Sequence, residues 1–156
     1  MNRFRSTAGL TLAFLTILGF ADPAAAGEQV PFQGKLEGTV TRSLPPPPIS
    51  VLVEGTGIAT QLGLFTVDIP HVVIPPNGSG FYHFVAANGD TLTAEFKGVS
   101  ALAAPGVLYI VETATITGGT GRFAGATGSF VCERLYDIAA GTTIGYFAGT
   151  ISSPGP

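Results

Sequence analysis

Hydrophobic and polar residues alternate with a period of two along much of the chain. The clearest stretch is TLTAEFKG, in which Leu92, Ala94 and Phe96 share one face while threonine, glutamate and lysine side chains occupy the other. Successive side chains of a β-strand point to opposite faces of its sheet, so this alternation predicts a half-buried strand. From residue 27 onward, no segment places apolar residues at helical spacing over three turns.

Eight short runs rich in Val, Ile, Thr, Phe and Tyr predict eight strands, and Gly, Pro and Asn separate the runs. The predicted strands span 32–41, 50–60, 64–74, 80–87, 90–99, 106–117, 122–134 and 142–151. The sequence ANGD at 87–90 predicts a tight hairpin, because Asn-Gly supplies the positive φ angles of a type I′ turn. The prolines at 45–48 predict an extended loop, since proline cannot donate to a sheet.

Eight strands joined mostly by short connections favour an all-β fold with an antiparallel, up-and-down sheet. A sheet of about eight strands can close into a β-barrel, which removes the exposed edges that invite aggregation. We therefore predict an eight-stranded antiparallel β-barrel, with a two-sheet sandwich as the alternative.

The segment ATITGGTGRFAGATGSFV, residues 114–131, concentrates glycine between two predicted strands. We expect a tight reversal, then interior glycines that mark a bulge or a close backbone contact in the next strand, and an aromatic side chain that plugs one end of the barrel. These roles fall on Gly118, Gly119 and Gly121, on Gly125 and Gly128, and on Phe123. A phosphate-binding loop would require a helix to follow, whereas the following SFVCERLYDI is typical of a strand.

The sequence TITGGTGRFAGATGSFV, followed by TTIGYFAGTI as a last strand, resembles the closing portion of the allene oxide cyclase barrel. Dirigent proteins carry a similar hairpin, GGTG followed by an aromatic residue, on a related eight-stranded barrel. The resemblance covers about 80–151, and GTGIATQLGLFTV at 55–67 resembles a motif of small exported bacterial proteins grouped with this superfamily.

The resemblance implies the barrel fold but not the cyclase activity. The cyclases carry an early Glu-x-Asn pair, whereas Glu37 and Glu54 are each followed by Gly-Thr here. Phe65 lies in a strand without the expected cysteine, and Thr127 occupies the place where the dirigent hairpin usually carries arginine. Since a shared fold does not establish a shared activity, an enzyme is not favoured.

The N-terminus predicts export. Arg3 and Arg5 precede an apolar run at 8–21 and a small-residue AAA at 24–26, which is the pattern of a secretory signal peptide. The apolar run is shorter than the roughly 20 residues that cross a membrane as a helix, so we expect cleavage after a signal-peptide helix and no membrane association afterwards. Residues 1–26 are then the signal peptide and 27–156 a single barrel domain, either periplasmic or secreted.

The charge of the chain argues against nucleic acid as a partner, and its cysteine content argues against an internal disulfide. Without Arg3, Arg5 and Asp22, the seven Lys/Arg and ten Asp/Glu of the full chain become five and nine. This acidic balance, with no basic cluster, argues against nucleic acid. Cys132 is the single cysteine, so no internal disulfide is predicted, and its residue type is typical of a buried apolar position.

Two carboxylates are candidate catalytic residues because each shares a face with apolar side chains. Glu112 lies in a row with Leu108, Ile110, Ala114 and Ile116, and Glu54 with Leu52, Thr56 and Ile58. A carboxylate in such a row must be paired, protonated or close to water, and perturbed carboxylates favour functional sites. The alternatives are that the row faces outward, or that Glu112 pairs with an arginine such as Arg134.

The interior wall supplies the other candidates, which are Tyr109, Tyr146, Phe96 and Cys132 as ligand-lining residues. His71 and His83 lie on neighbouring predicted strands, but a catalytic zinc normally needs three protein ligands, so we predict no metal and no cofactor.

Three functions stay open at this point. The favoured one is binding of a small apolar molecule inside the barrel. The second is a cyclase-like isomerase acting on an oxidised lipid through Glu112 or Glu54. The third is a structural or interaction barrel with a filled interior. The sequence also leaves open whether the protein forms a homo-oligomer.

Overall fold

A computed structural model describes residues 27–155; the predicted signal peptide, residues 1–26, lies outside them. Eight strands form one closed barrel in sequence order, and each strand pairs antiparallel with its neighbours. The barrel is sealed by the pairing of the first strand with the last, from Gln29 opposite Ser152 to Thr39 opposite Thr142. The strands are β1 (Gln29–Arg42), β2 (Ile49–Ala59), β3 (Gly63–Ile74), β4 (Asn77–Ala86), β5 (Thr91–Ala104), β6 (Val107–Gly119), β7 (Gly128–Asp137) and β8 (Thr142–Ser152).

The predicted all-β fold, a closed eight-stranded antiparallel barrel, is confirmed, and the sandwich alternative is wrong. The seventh strand requires a correction, since it begins at Gly128 and not at residue 122. Residues Gly121–Phe123 form a short 3-10 helix instead, and Gly125 lies in the turn with a φ of +70°. A left-handed backbone of this kind breaks the ladder, so the glycine segment is a longer loop than predicted. No helix among residues 27–155 is long and apolar enough to cross a membrane.

Phenylalanine rings fill one half of the barrel interior. They form a contiguous set with ring centroids 5.0 to 6.2 Å apart, namely Phe32, Phe65, Phe84, Phe130 and Phe147. Inward glycines make room for the rings, as at Gly57, where an added Cβ would lie 2.4 Å from the Phe65 ring. Close packing of large rings against small residues supplies much of the hydrophobic stabilisation, at about 1.5–3 kcal/mol for each buried ring.

The 3-10 helix closes this end of the barrel. Phe123 is fully buried at 0% exposure and belongs to the same hydrophobic core as the rings. Arg122 ties the loop to its neighbours, because its backbone N–H donates to Asp90 Oδ2 at 3.2 Å and its Nη2 donates to the Gln61 carbonyl at 3.1 Å. We call this end, with its loops 60–62, 87–90 and 120–127, the closed end. The opposite end, where loops 43–48, 75–76, 105–106 and 138–141 lie, is the open end.

Candidate functional site

A cavity of about 220 Å³ occupies the half of the barrel next to the open end. Its walls are largely apolar and come from the inward faces of several strands, including Val40, Val51, Val53, Val73, Phe96 and Ile110. Arg42, Ile49, Pro75 and Pro76 lie at its mouth. The interior is thus filled with rings at the closed end and hollow at the open end.

The floor of the cavity is a buried ion pair between Glu112 of β6 and Arg134 of β7. Arg134 Nε donates to Glu112 Oε2 at 3.0 Å and Nη2 donates to Oε1 at 2.5 Å, so the contact is bidentate. The Arg134 side chain is only 1% exposed and the Glu112 side chain only 2%. Tyr82 of β4 donates its hydroxyl to Glu112 Oε2 as well. Of the sequence-based alternatives for Glu112, the structure shows the pairing with Arg134.

Glycines on the flanking strands provide the space for this pair. Gly98 on β5 lies opposite Glu112, and a Cβ at that position would be 2.8 Å from the Glu112 Cγ. Gly145 on β8 lies opposite Arg134, and a Cβ there would be 2.5 Å from the Arg134 Cγ. Real Cβ contacts are longer than either distance, so the ion pair depends on glycine on both sides.

The guanidinium of Arg134 keeps unused donors after these contacts. Of its five N–H groups, two bond Glu112 and one Nη1 hydrogen points to Thr143 Oγ1 at 3.4 Å. Thr143 in turn donates to the Leu135 carbonyl at 2.9 Å. One N–H therefore remains on each terminal nitrogen of Arg134, and Arg134 is a lining residue of the cavity. A ligand oxygen that reaches the floor can accept a hydrogen bond from these N–H groups.

His71 of β3 lines the cavity on the wall across the barrel from Arg134, since β3 and β7 are four strands apart. Its Nδ1 lies 2.9 Å from the Ile69 carbonyl, and its ring contacts Phe96 edge-on with a centroid distance of 5.6 Å. Burial lowers the pKa of His71 below the ordinary 6.5, although the bond to Ile69 acts in the opposite direction. His71 is therefore a neutral imidazole at neutral pH.

The remaining titratable groups of the floor are held in their uncharged or paired forms. Burial raises the pKa of the Tyr82 hydroxyl, and the nearby Glu112 carboxylate adds to the effect. Burial raises the pKa of the Cys132 thiol to about 12, so the thiol stays protonated and is not a nucleophile at neutral pH. Burial also opposes the charge on Arg134, but the Glu112 carboxylate outweighs it and the pKa of Arg134 is raised.

Several sequence-derived candidates lie away from the cavity, and their placement is a correction. Tyr109 and Tyr146 are 38% and 69% exposed on the outer face, because the adjacent residues Leu108, Ile110, Gly145 and Phe147 take the inward positions. Glu54 is exposed as well, since Val53 carries the inward face of β2 there. Phe96 lines the cavity, and Cys132 is buried one inward position below Arg134 on β7.

Sequence reasoning named Arg134 only as a partner, and it did not include His71 or Tyr82 among the site residues. Arg134 could have been found from the phase of β7, since it shares an inward face with Phe130 and Cys132. Across residues 27–155, no group of three or more His, Cys, Asp or Glu side chains could hold a metal ion.

Two dirigent proteins are among the solved structures that resemble this barrel. The pterocarpan synthase dirigent protein GePTS1 superposes with a TM-score of 0.64 at 14% identity, over 97% of this chain and 98% of that chain. The pterocarpan synthase dirigent protein PsPTS1 gives a TM-score of 0.62 at 11% identity, over 83% of this chain and 97% of that chain. No family model matches the sequence, and no curated protein matches it. The structural likeness confirms the sequence resemblance at the level of the fold, which is a dirigent-like barrel.

Proposed function

We propose that this dirigent-like barrel binds a small, uncharged and largely apolar molecule in the cavity at its open end. The observation that carries the proposal is the division of the interior into a ring-filled half and a hollow half with a polar floor. An engineered apolar cavity of about 150 Å³ binds benzene. A cavity of about 220 Å³ therefore suits a ligand of one or two rings.

The floor favours a neutral ligand over an ion. Glu112 already neutralises Arg134 through two hydrogen bonds, so a ligand carboxylate would meet a compensated cation with a carboxylate beside it. A ligand cation would likewise lie beside the positively charged guanidinium of Arg134, whose partner Glu112 is already neutralised. Moving a charge from water into an apolar cavity is costly unless the cavity contains an unpaired group of opposite charge. The free N–H groups of Arg134 can instead donate to a neutral oxygen such as an alcohol, ether or carbonyl.

The engagement of Glu112 also argues against the cyclase alternative. Its Oε2 accepts from Tyr82 and from Arg134 Nε, and its Oε1 accepts from Arg134 Nη2. A carboxylate with these partners is a fixed acceptor in the floor and is not free to take a proton from a substrate.

A pocket-blocking variant tests the proposal. Gly78 points inward at the cavity wall, and a Cβ there has ordinary contacts of 3.5 Å or more, so leucine at this position extends into the cavity. Its neighbour Ser79 is exposed, which makes Ser79→Leu the matched control on the outer face. Naphthalenemethanol, whose fluorescence responds to its surroundings, is the probe for titration.

We expect saturable binding by the wild-type protein and by Ser79→Leu, and at least a tenfold loss of affinity in Gly78→Leu, about 1.4 kcal/mol or more. Naphthoate and naphthylmethylamine, the anionic and cationic relatives of the probe, should bind more weakly than the alcohol. The proposal is wrong if the wild-type protein does not bind the probe, or if folded Gly78→Leu binds it unchanged.

We also propose that this binding takes place outside the cytoplasm. The support is the sequence pattern of residues 1–26. Intact mass measurement of the protein recovered from the periplasm or medium of its host should show an N-terminus at Gly27; recovery of the full-length chain from the cytoplasm alone would contradict the proposal.

A further inference from the structure

The tautomer of His71 follows from its one hydrogen bond. The Ile69 carbonyl can only accept, so the Nδ1 that lies 2.9 Å from it must carry the hydrogen. In a neutral imidazole the other nitrogen then holds a lone pair. The Nε2 atom of His71 is therefore a hydrogen-bond acceptor.

This acceptor has no protein partner among the described residues. The hydrogen bonds of residues 27–155 include no bond to His71 Nε2. The atom is also not among the fully buried polar atoms that lack a partner, so it reaches accessible space, and the accessible space beside His71 is the cavity. Because Nδ1 turns back onto its own strand, Nε2 lies on the side of the ring directed away from that strand.

The cavity thus offers a ligand both a hydrogen-bond donor and a hydrogen-bond acceptor that have no protein partner within residues 27–155. Arg134 on β7 offers N–H donors, and His71 on β3 offers a lone pair from across the barrel. A hydroxyl group is the smallest neutral group that satisfies both, since its oxygen accepts while its hydrogen is donated. An ether or a ketone satisfies only Arg134 and leaves the His71 acceptor without a partner.

We infer that the ligand of this cavity is an apolar alcohol, whose hydroxyl donates to His71 Nε2 and accepts from the guanidinium of Arg134. The inference rests on the proposed function and specifies its ligand class. His71 is then the residue that distinguishes an alcohol from the ether or hydrocarbon of the same shape. A site built to bond a hydroxyl discriminates against the analogue without it, because its own polar group is left unpaired.

Naphthalenemethanol and its methyl ether form the test pair, because they share the ring system and differ in the hydroxyl hydrogen. We expect the wild-type protein to bind the alcohol about tenfold more tightly than the ether, the effect of one hydrogen bond. In His71→Phe, which keeps an aromatic ring against Phe96, the alcohol should fall to the affinity of the ether while the ether is unchanged. His71→Gln, which restores an acceptor oxygen, should recover part of the difference.

The possible outcomes separate failure of this inference from failure of the proposed function. Equal binding of alcohol and ether by the wild-type protein overturns the inference and leaves the proposed function intact. A preference for the alcohol that persists in folded His71→Phe also overturns the assignment to His71. Absence of binding by both probes contradicts the proposed function itself. If His71→Phe does not fold, His71→Leu takes its place, because it also removes the acceptor, and a preference for the alcohol that persists in it overturns the assignment to His71.

Discussion

The buried pair of Glu112 and Arg134 gives the sharpest prediction for stability. The perturbation is a set of three variants, Glu112→Leu, Arg134→Met and the two combined. Each single replacement removes one charge and leaves the other in a site that is at most 2% exposed. The combined replacement removes both charges and keeps apolar side chains of similar length in the floor of the cavity.

The magnitudes follow from the contacts. Removal of one partner of a buried ion pair costs about 3–5 kcal/mol, because the remaining charge is uncompensated. Replacement of both by packed apolar residues is often neutral or stabilises by about 1–4 kcal/mol. Here Tyr82 also loses the Glu112 oxygen that accepts its hydroxyl, and an unsatisfied buried hydroxyl costs about 1–3 kcal/mol. These terms offset each other, so the double variant should be close to the wild type and more stable than either single variant.

Urea unfolding followed by circular dichroism measures these differences as shifts in the transition midpoint. In a domain of this size, a loss of 3–5 kcal/mol lowers Tm by roughly 10–20 °C. Glu54→Leu is the control, since Glu54 is an exposed carboxylate on the outer face and its removal should change stability by less than about 0.5 kcal/mol. The reasoning is refuted if the double variant loses the sum of the two single losses, or if either single variant costs under about 1 kcal/mol.

Three further perturbations test the packing and the protonation of the barrel. Phe123→Ala should cost about 3–5 kcal/mol because the ring is fully buried at the closed end; a loss under about 1 kcal/mol in urea unfolding would contradict its role as a plug. Gly98→Ala should cost about 1–3 kcal/mol because its Cβ meets Glu112, whereas Gly78→Ala has room and should be nearly neutral; equal effects would refute the steric argument. Because burial lowers the pKa of His71 in the native state, the unfolded chain binds a proton below about pH 6.5 that the native state does not bind. Wild-type stability should therefore decrease as the pH falls from about 6.5 to the native pKa of His71. His71→Phe should lack this component when urea midpoints are compared between about pH 8 and about pH 5, and parallel profiles would contradict it.

The sequence predicts the fold well because apolar and polar residues alternate along the strands, and this alternation is what a β-barrel requires. Alternation with a period of two reports which side chains face inward, and the match is visible at Leu92, Ala94 and Phe96, all of which are buried. The start of β7 was missed because glycine is equally compatible with a strand interior and with a left-handed turn. The positive φ angles of Gly121 and Gly125 come from their position over the closed end, which no local pattern reveals.

The site is less accessible to sequence reasoning because its cavity is lined by residues from seven strands, β1 to β7. Glu112 stood out in an apolar row, but whether it was paired depended on the register that brings β6 beside β7. His71 was considered only as a metal ligand, because apolar residues occupy both faces of the run VDIPHVVI and the alternation does not show which of its side chains point inward. Tyr109 and Tyr146 were assigned by residue type, and the register places both on the outer face.

The two halves of the barrel separate stability from binding. The inward positions near the closed end include five phenylalanines, while many of those near the open end carry shorter side chains such as Val40, Val51 and Val73. Hydrophobic burial grows with the size of the buried side chain, so the ring-filled half contributes more stability than the hollow half. The short side chains at the open end therefore leave space at little cost to the fold. This division explains why a buried ion pair, which adds little net stability, lies at the boundary: it forms a polar floor where packed rings end and ligand space begins.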